Sequence, residues 1–382
     1  MDSRERILIA LDHRMPDRVP CDLGGTIVTG IHVEAYRNLR EYLGMPEQGI
    51  VVIDPVQGLA RVDDDLRERL GVDTMPVSPA DPRTTRLRTS EDAEFTYIDD
   101  DYGLRWRKPK DGGFYHDLCV HPLAGDISRA DVDRHALPDP ADEGRYAGLR
   151  EACLEAGDED RKATVMWGFG GGAFETAGWL RGLEQFYMDL AVDPGLACAI
   201  MDRLLEIKLG FLERALAQIG DVLDVMGEGD DLGGQHGPLI SPDMYRTLVK
   251  PRHRQLFQFI HARSRAKVML HCCGSIRPLI PDLIEIGVDI LNPVQVSAAG
   301  MDSADLKREF GRELTFWGGG VETQHVLPFG TPQQVRDDVR RRLDDLMPGG
   351  GYVFNPVHNI QAGVPAANIM AMWEAYREYG TY

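Results

Sequence analysis

Basic charge is scarce in this chain: 42 Lys and Arg stand against 61 Asp and Glu over 382 residues, a formal charge of −19. A surface that acidic repels phosphate backbones, so nucleic-acid binding would need a local basic patch. The one basic run, Arg340 to Arg342, precedes Asp344 and Asp345, and pairing along a helix face accounts for it. Long apolar runs are also missing. No stretch reaches the ~18 residues of a membrane span, and the N-terminal segment lacks the apolar core and small-residue cleavage site of a secretion signal. Six cysteines in a chain of this length are too few for a disulfide framework. A soluble cytoplasmic protein is expected, without nucleic acid or membrane as partner. Dinucleotide binding gains no support either, because no Gly-x-Gly-x-x-Gly stands between a strand and a helix with an acid beyond it.

What the chain has is alternation. At 43% hydrophobic and 27% charged residues it can bury a sizeable core. Short apolar runs ending in Gly, Asn, Asp or His precede longer segments of helical periodicity. The pattern is clearest in "DVLDVMGEGDD" (221–231), "KVMLHCCG" (267–274), "VDILNPVQ" (288–295), "LTFWGGG" (314–320) and "GYVFNPV" (351–357). Between them, 241–264 reads as helix, with Ser241 as N-cap, Pro242 in the first turn and a break near Pro251. Nearly continuous apolar strands suit parallel strands buried on both faces. "RVPCDLGG" (18–25), "VDTMPV" (72–77) and "ATVMWGFGGG" (163–172) bring the strand candidates to about eight, so a (β/α)8 barrel is expected over 1–382. "FTYIDDDYGLRWRKPKDGGFYHDLCVHPL" reads as a β-hairpin insertion, approximately 90–125, with "DDDYG" and "KDGG" as turns.

Barrels of this kind place their chemistry at the C-terminal ends of the strands. Glu228, Asp230 and Asp231 follow one strand, His271, Cys272 and Cys273 end the next, and His358 and Asn359 follow the last. Strand alternation puts His271 and Cys273 on one side and Cys272 on the other. A lone histidine at a strand end is ordinarily a hydrogen-bonded polar group, but three strand ends meeting at one rim favour a metal. Zinc takes thiolate, imidazole and carboxylate ligands. The expected ligands are His271, Cys273 and His358, with Glu228 as a displaceable fourth; His271 and Glu228 are the expected catalytic groups, Glu228 as ligand or base. Asp230, Asn292, Gln295, Trp317 and Asn359 are expected to contact substrate. Cys272 suits a buried small hydrophobe, and the glycines of 168–172 and 317–321 suit close packing at the barrel mouth. His236 is a rim residue equally compatible with substrate contact and solvation.

"HCCG", with "SPDMYRTLVKPRHRQL" upstream and "GGGYVFNPVHNIQAGVPAANIMAMWEA" at the end, resembles the uroporphyrinogen decarboxylase superfamily. "RERILIALDHRMPDRVP" and "ETAGWLRGLEQFYMDLAVDP" extend the likeness over most of the chain. The resemblance implies a (β/α)8 barrel and either of two activities. The decarboxylases share an arginine-rich "RQAGR" segment after the first strand, whereas this chain has Cys21-Asp-Leu-Gly-Gly-Thr-Ile-Val and no arginine until Arg37. The zinc-dependent branch acting with corrinoid proteins carries His-x-Cys-Gly, matched by His271, Cys273 and Gly274, and a second cysteine near the C-terminus. His358 stands where that cysteine would be. This implies a zinc enzyme that moves a methyl group from a small methylated substrate, a methyl ether or similar, to a corrinoid (cobalamin) carried by a partner protein, with a homodimer as the candidate assembly. A decarboxylase or lyase of a carboxylated or tetrapyrrole substrate is the first alternative, and a non-catalytic corrinoid- or tetrapyrrole-binding barrel the second.

Overall fold

The computed structural model describes residues 1–46, 49–84, 87–158 and 161–382. Its first strands are β1 (Ile31–His32), β2 (Val52–Asp54), β3 (Leu59–Ala60), β4 (Thr74–Val77), β5 (Arg88–Glu91), β6 (Phe95–Asp99), β7 (Arg105–Pro109) and β8 (Asp117–Val120). They are followed by β9 (Ala163–Trp167), β10 (Val225–Gly229), β11 (Lys267–His271), β12 (Ile290–Asn292), β13 (Thr315–Trp317) and β14 (Tyr352–Val353). Seven strands pair in parallel in the order β14-β13-β12-β11-β10-β9-β4. The segment 20–22 supplies the eighth stave. Phe354 N donates to Pro20 O at 2.8 Å and Asp22 N to Phe354 O at 2.9 Å, while Asp73 N donates to Cys21 O at 2.9 Å on the other side. One short segment thus bonds both edges of the sheet, giving the expected TIM-type barrel. Pro20 has no N–H to extend the pairing, so this stave is a bridge and not a long strand.

The barrel interior holds Val165, Val225, Met269, Ile290, Trp317 and Val353, stoppered by Ile7 and Leu11 of the helix Ser3–Leu11. Residues of opposite parity (Met166, Met226, Val268, Leu270, Leu291, Phe316) face the helical layer. Both faces of each strand are therefore dry, which is why the strands read as continuous apolar runs. The expected break near Pro251 is present: a wider π turn at Tyr245–Val249 precedes the helix Lys250–Arg263, and Pro251 occupies its first turn.

The insertion is larger than a hairpin. β5, β6, β7 and β8 form a four-stranded antiparallel sheet, with "DDDYG" and "KDGG" as the turns joining β6 to β7 and β7 to β8. β5 is exposed at all four positions, so no polar–apolar alternation marks it in the sequence. A smaller antiparallel sheet, β1-β3-β2, precedes the insertion. Among the described residues no helix is long and apolar enough to cross a membrane.

Asp73 ties the closure together. Its buried carboxylate accepts from Arg6 Nη1 at 2.6 Å, Arg18 Nη1 at 2.7 Å, Arg18 Nη2 at 2.9 Å and Cys21 N at 2.9 Å. The stopper helix, the eighth stave and the start of β4 all meet there. Asp73→Asn removes the only carboxylate paired with Arg18 among the described residues and leaves the buried Arg6 with Asp17 alone, and is expected to cost up to about 3 kcal/mol of stability. Urea unfolding followed by circular dichroism measures this, and a cost below about 1 kcal/mol would show that the network does not hold the barrel shut.

Candidate metal centre

Strand parity decides which side chains reach the barrel mouth. β10 and β11 pair with Glu228 opposite Leu270 and Gly229 opposite His271. Leu270 faces the helices, so Glu228 does too, whereas His271 points inward. Lys208, on the helix Pro194–Ile219, donates to Glu228 Oε2 at 2.5 Å. Glu228 is therefore spent as the partner of a buried lysine and is not brought to the other expected ligands. The inward parity of β10 continues instead to Asp231, whose Oδ1 accepts from Cys273 N at 2.7 Å.

His271, Cys273 and His358 do converge: one ligand atom from each lies within 4.8 Å of the others. His271 Nε2 and Cys273 Sγ are 3.4 Å apart, and the two imidazole rings sit 5.2 Å apart, edge to face. A tetrahedral zinc ion holds nitrogen and sulfur donors roughly 3.6 Å from one another, so the His271–Cys273 spacing fits. The donor chemistry fits as well. Asn292 Oδ1 accepts from His271 Nδ1 at 2.6 Å, and Asn292 Nδ2 donates to Trp317 O at 2.8 Å, which fixes the amide orientation. With its Nδ1 carrying the proton, His271 turns the lone pair of Nε2 toward the cluster. Burial pushes the His271 pKa down to about 4 and that of His358 down to about 3, so both are neutral imidazoles near pH 7. Burial raises the Cys273 thiol, with Asp231 adding to it, and a bound cation reverses that shift.

The other expected residues also have structural partners. Gln295 Oε1 accepts from Gly274 N at 2.7 Å and so fixes the turn after Cys273. Asn359 Oδ1 accepts from Gly30 N at 2.6 Å, and its Nδ2 donates to Ile27 O at 2.9 Å and Gln57 Oε1 at 3.0 Å, tying two rim loops together. Asp230 caps the helix Ala173–Arg181: it accepts from Phe174 N at 3.0 Å and Glu175 N at 2.7 Å, and it pairs with His253 at 2.9 Å. Trp317 lies fully buried inside the barrel, its indole N–H on Asp22 Oδ2 at 3.0 Å. Cys272 is buried among apolar neighbours, and His236 borders an outer groove.

The cluster stands between two chambers. One, of about 390 Å³, is bounded by His271, His358, Asp231, Glu175 and the indoles of Trp106, Trp167 and Trp179. The other, of about 340 Å³, is bounded by Cys273, His358 and the amides of Gln235, Gln295, Asn359 and Gln361. Strand-end reasoning named Asp231 without giving it a role, and it did not single out Glu175 or these three tryptophans. Asp231 was accessible through the parity of β10, and Gly229 was a second clue: a Cβ there would lie 2.8 Å from the Trp167 ring. That ring in turn meets His271 edge-on at 6.1 Å.

Removing the acceptor behind His271 isolates its contribution. Asn292→Ala is expected to weaken zinc binding about 10- to 100-fold in a competition titration against a chromophoric chelator. Unchanged affinity would mean that Asn292 does not set the imidazole.

The family model for uroporphyrinogen decarboxylase (URO-D) matches residues 122–379. A uroporphyrinogen decarboxylase from Pelobacter propionicus is 24% identical over 249 residues, covering 64% of this chain and 68% of that protein. A second, from Alkalilimnicola ehrlichii, is 22% identical over 271 residues, covering 68% of each. A methyltransferase from Methanosarcina mazei superposes over 99% of both chains with a TM-score of 0.65, at 18% sequence identity, and so shares the fold. The family match spans well over half of the chain, and it carries with it the strand bearing His271 and the C-terminal loop bearing His358: this protein belongs to the uroporphyrinogen decarboxylase family.

Proposed function

We propose that this chain is a zinc-dependent methyltransferase that takes a methyl group from a small methylated substrate, a methyl ether or similar, and passes it to a corrinoid-carrying protein in the cytoplasm. The observation that carries the reading is the compact His271–Cys273–His358 donor set at the wall of a tryptophan-lined chamber. When bound, zinc would supply Lewis acidity toward the substrate's heteroatom, and the partner's corrinoid would supply the methyl-accepting centre. The chain's own residues do the rest. Asn292 holds the His271 tautomer, Gln295 and Asp231 hold the backbone around Cys273, and the tryptophans give the chamber a largely apolar lining. One thiolate and two neutral imidazoles give the donor set a single negative charge, which suits polarising an ether oxygen better than keeping a bound thiol nucleophilic.

The decarboxylase named by the relatives acts on a polycarboxylate, which calls for arginines or lysines. Among the described residues neither chamber is lined by one. The six cysteines are all free, as a reducing cytoplasm requires. The test is a metal assay on chelator-free protein, paired with methyl transfer from aryl methyl ethers to free cob(I)alamin. About one zinc per chain is expected, with Cys273→Ser losing both the metal and at least tenfold of the activity. Full activity in metal-free protein, or activity on thiols alone, would reject the reading.

A further inference from the structure

The larger-walled chamber has an unusual balance of charge. Its boundary includes Glu175, Asp231 and Asp54, yet among the described residues no lysine or arginine lines it. Two of these carboxylates have partners. Asp54 accepts from Val56 N at 2.9 Å, Gln57 N at 3.0 Å and the Gln57 amide at 2.8 Å, and Asp231 accepts from Cys273 N. Glu175 differs. Its backbone N–H is taken by Asp230, but among the described residues its carboxylate has neither a hydrogen bond nor an ion pair. It is largely buried in the first turn of the helix Ala173–Arg181 and faces the chamber. Lys208, whose field reaches it, is already bound to Glu228. A buried, unpaired carboxylate beside a second acid is costly unless a cation or a proton joins it.

The rest of the wall is aromatic. Trp106 arrives from the insertion sheet, where its indole N–H is held by Asp100 Oδ2 at 3.0 Å, and it meets Trp179 edge-on at 5.5 Å. Trp167 closes a third side next to His271. Indole faces attract ammonium groups, most strongly where water is excluded. Three tryptophans around an unpaired carboxylate therefore form a receptor for an organic cation and repel a carboxylate or phosphate.

We propose that this chamber binds an organic ammonium ion, held by Glu175 and the faces of Trp106, Trp167 and Trp179, so that the methylated substrate carries a cationic amine. Calling the ligand a substrate rests on the methyl-transfer reading; the binding itself does not. The insertion sheet, by delivering Trp106, sets this specificity.

Choline and dimethylbutanol, its uncharged carbon isostere, are the probes, titrated into the full-length protein with and without zinc and followed by tryptophan fluorescence and calorimetry. Choline is expected to bind at least about tenfold more tightly than the alcohol. Glu175→Gln is expected to lower choline affinity about tenfold and leave the alcohol unchanged, and Trp106→Leu to weaken choline more than the alcohol. Equal affinity for the two probes in the unaltered protein would overturn the proposal, whether or not the variants fold. So would a gain in choline affinity in Glu175→Gln. Choline binding by a protein that transfers no methyl group would overturn the methyltransferase reading and leave the receptor standing; methyl transfer from neutral ethers with no choline binding would do the reverse.

Discussion

The register between β10 and β11 governs the site. Because Gly229 stands opposite His271 in a parallel pair, His271 and Cys273 turn toward the barrel axis together with Asp231, and Glu228 turns away with Leu270. A slip of one residue would exchange the two sets, sending the imidazole into the helix layer and a carboxylate to the mouth. The register is held from both sides: Val225 and Met269 fill the barrel interior while Met226, Val268 and Leu270 fill the layer outside it. Packing of ordinary apolar side chains thus fixes the direction of the chemically active ones.

Much of this was legible in the sequence. Continuous apolar strands alternating with helical periods gave the barrel, and the residues at the strand ends gave His271, Cys273 and His358. What stayed hidden had physical reasons. The first stave is a single bridge built around Pro20, too short to leave a periodic signature. β5 is polar and exposed throughout. Glu228 and Asp230 share the rim with Asp231 in sequence, but period-two alternation separates them, and alternation applied to His271 and Cys273 alone does not reveal the parity of the neighbouring strand. Trp317 is the opposite case: a large aromatic at a strand end that packs inward onto Asp22 instead of outward to a ligand. Glu175 and Trp106 reach the chamber from a helix and an insertion whose placement depends on tertiary contacts.

Burial works on the site's titratable groups in two directions. It drives His271 and His358 toward neutral imidazoles, the form in which they can ligate a cation, and it raises the carboxyls of Glu175 and Asp231, which also repel each other's charge. Positive charge reinforces the first effect and offsets the second. A cation among the imidazoles and Cys273 stabilises the thiolate, and a cation among the tryptophans stabilises the carboxylates. The chamber is thus electrostatically incomplete when empty, and the two kinds of cation address different atoms of it: soft nitrogen and sulfur donors on one wall, hard oxygen and aromatic faces on the other. Because the donor sets differ in softness, neither cation need displace the other.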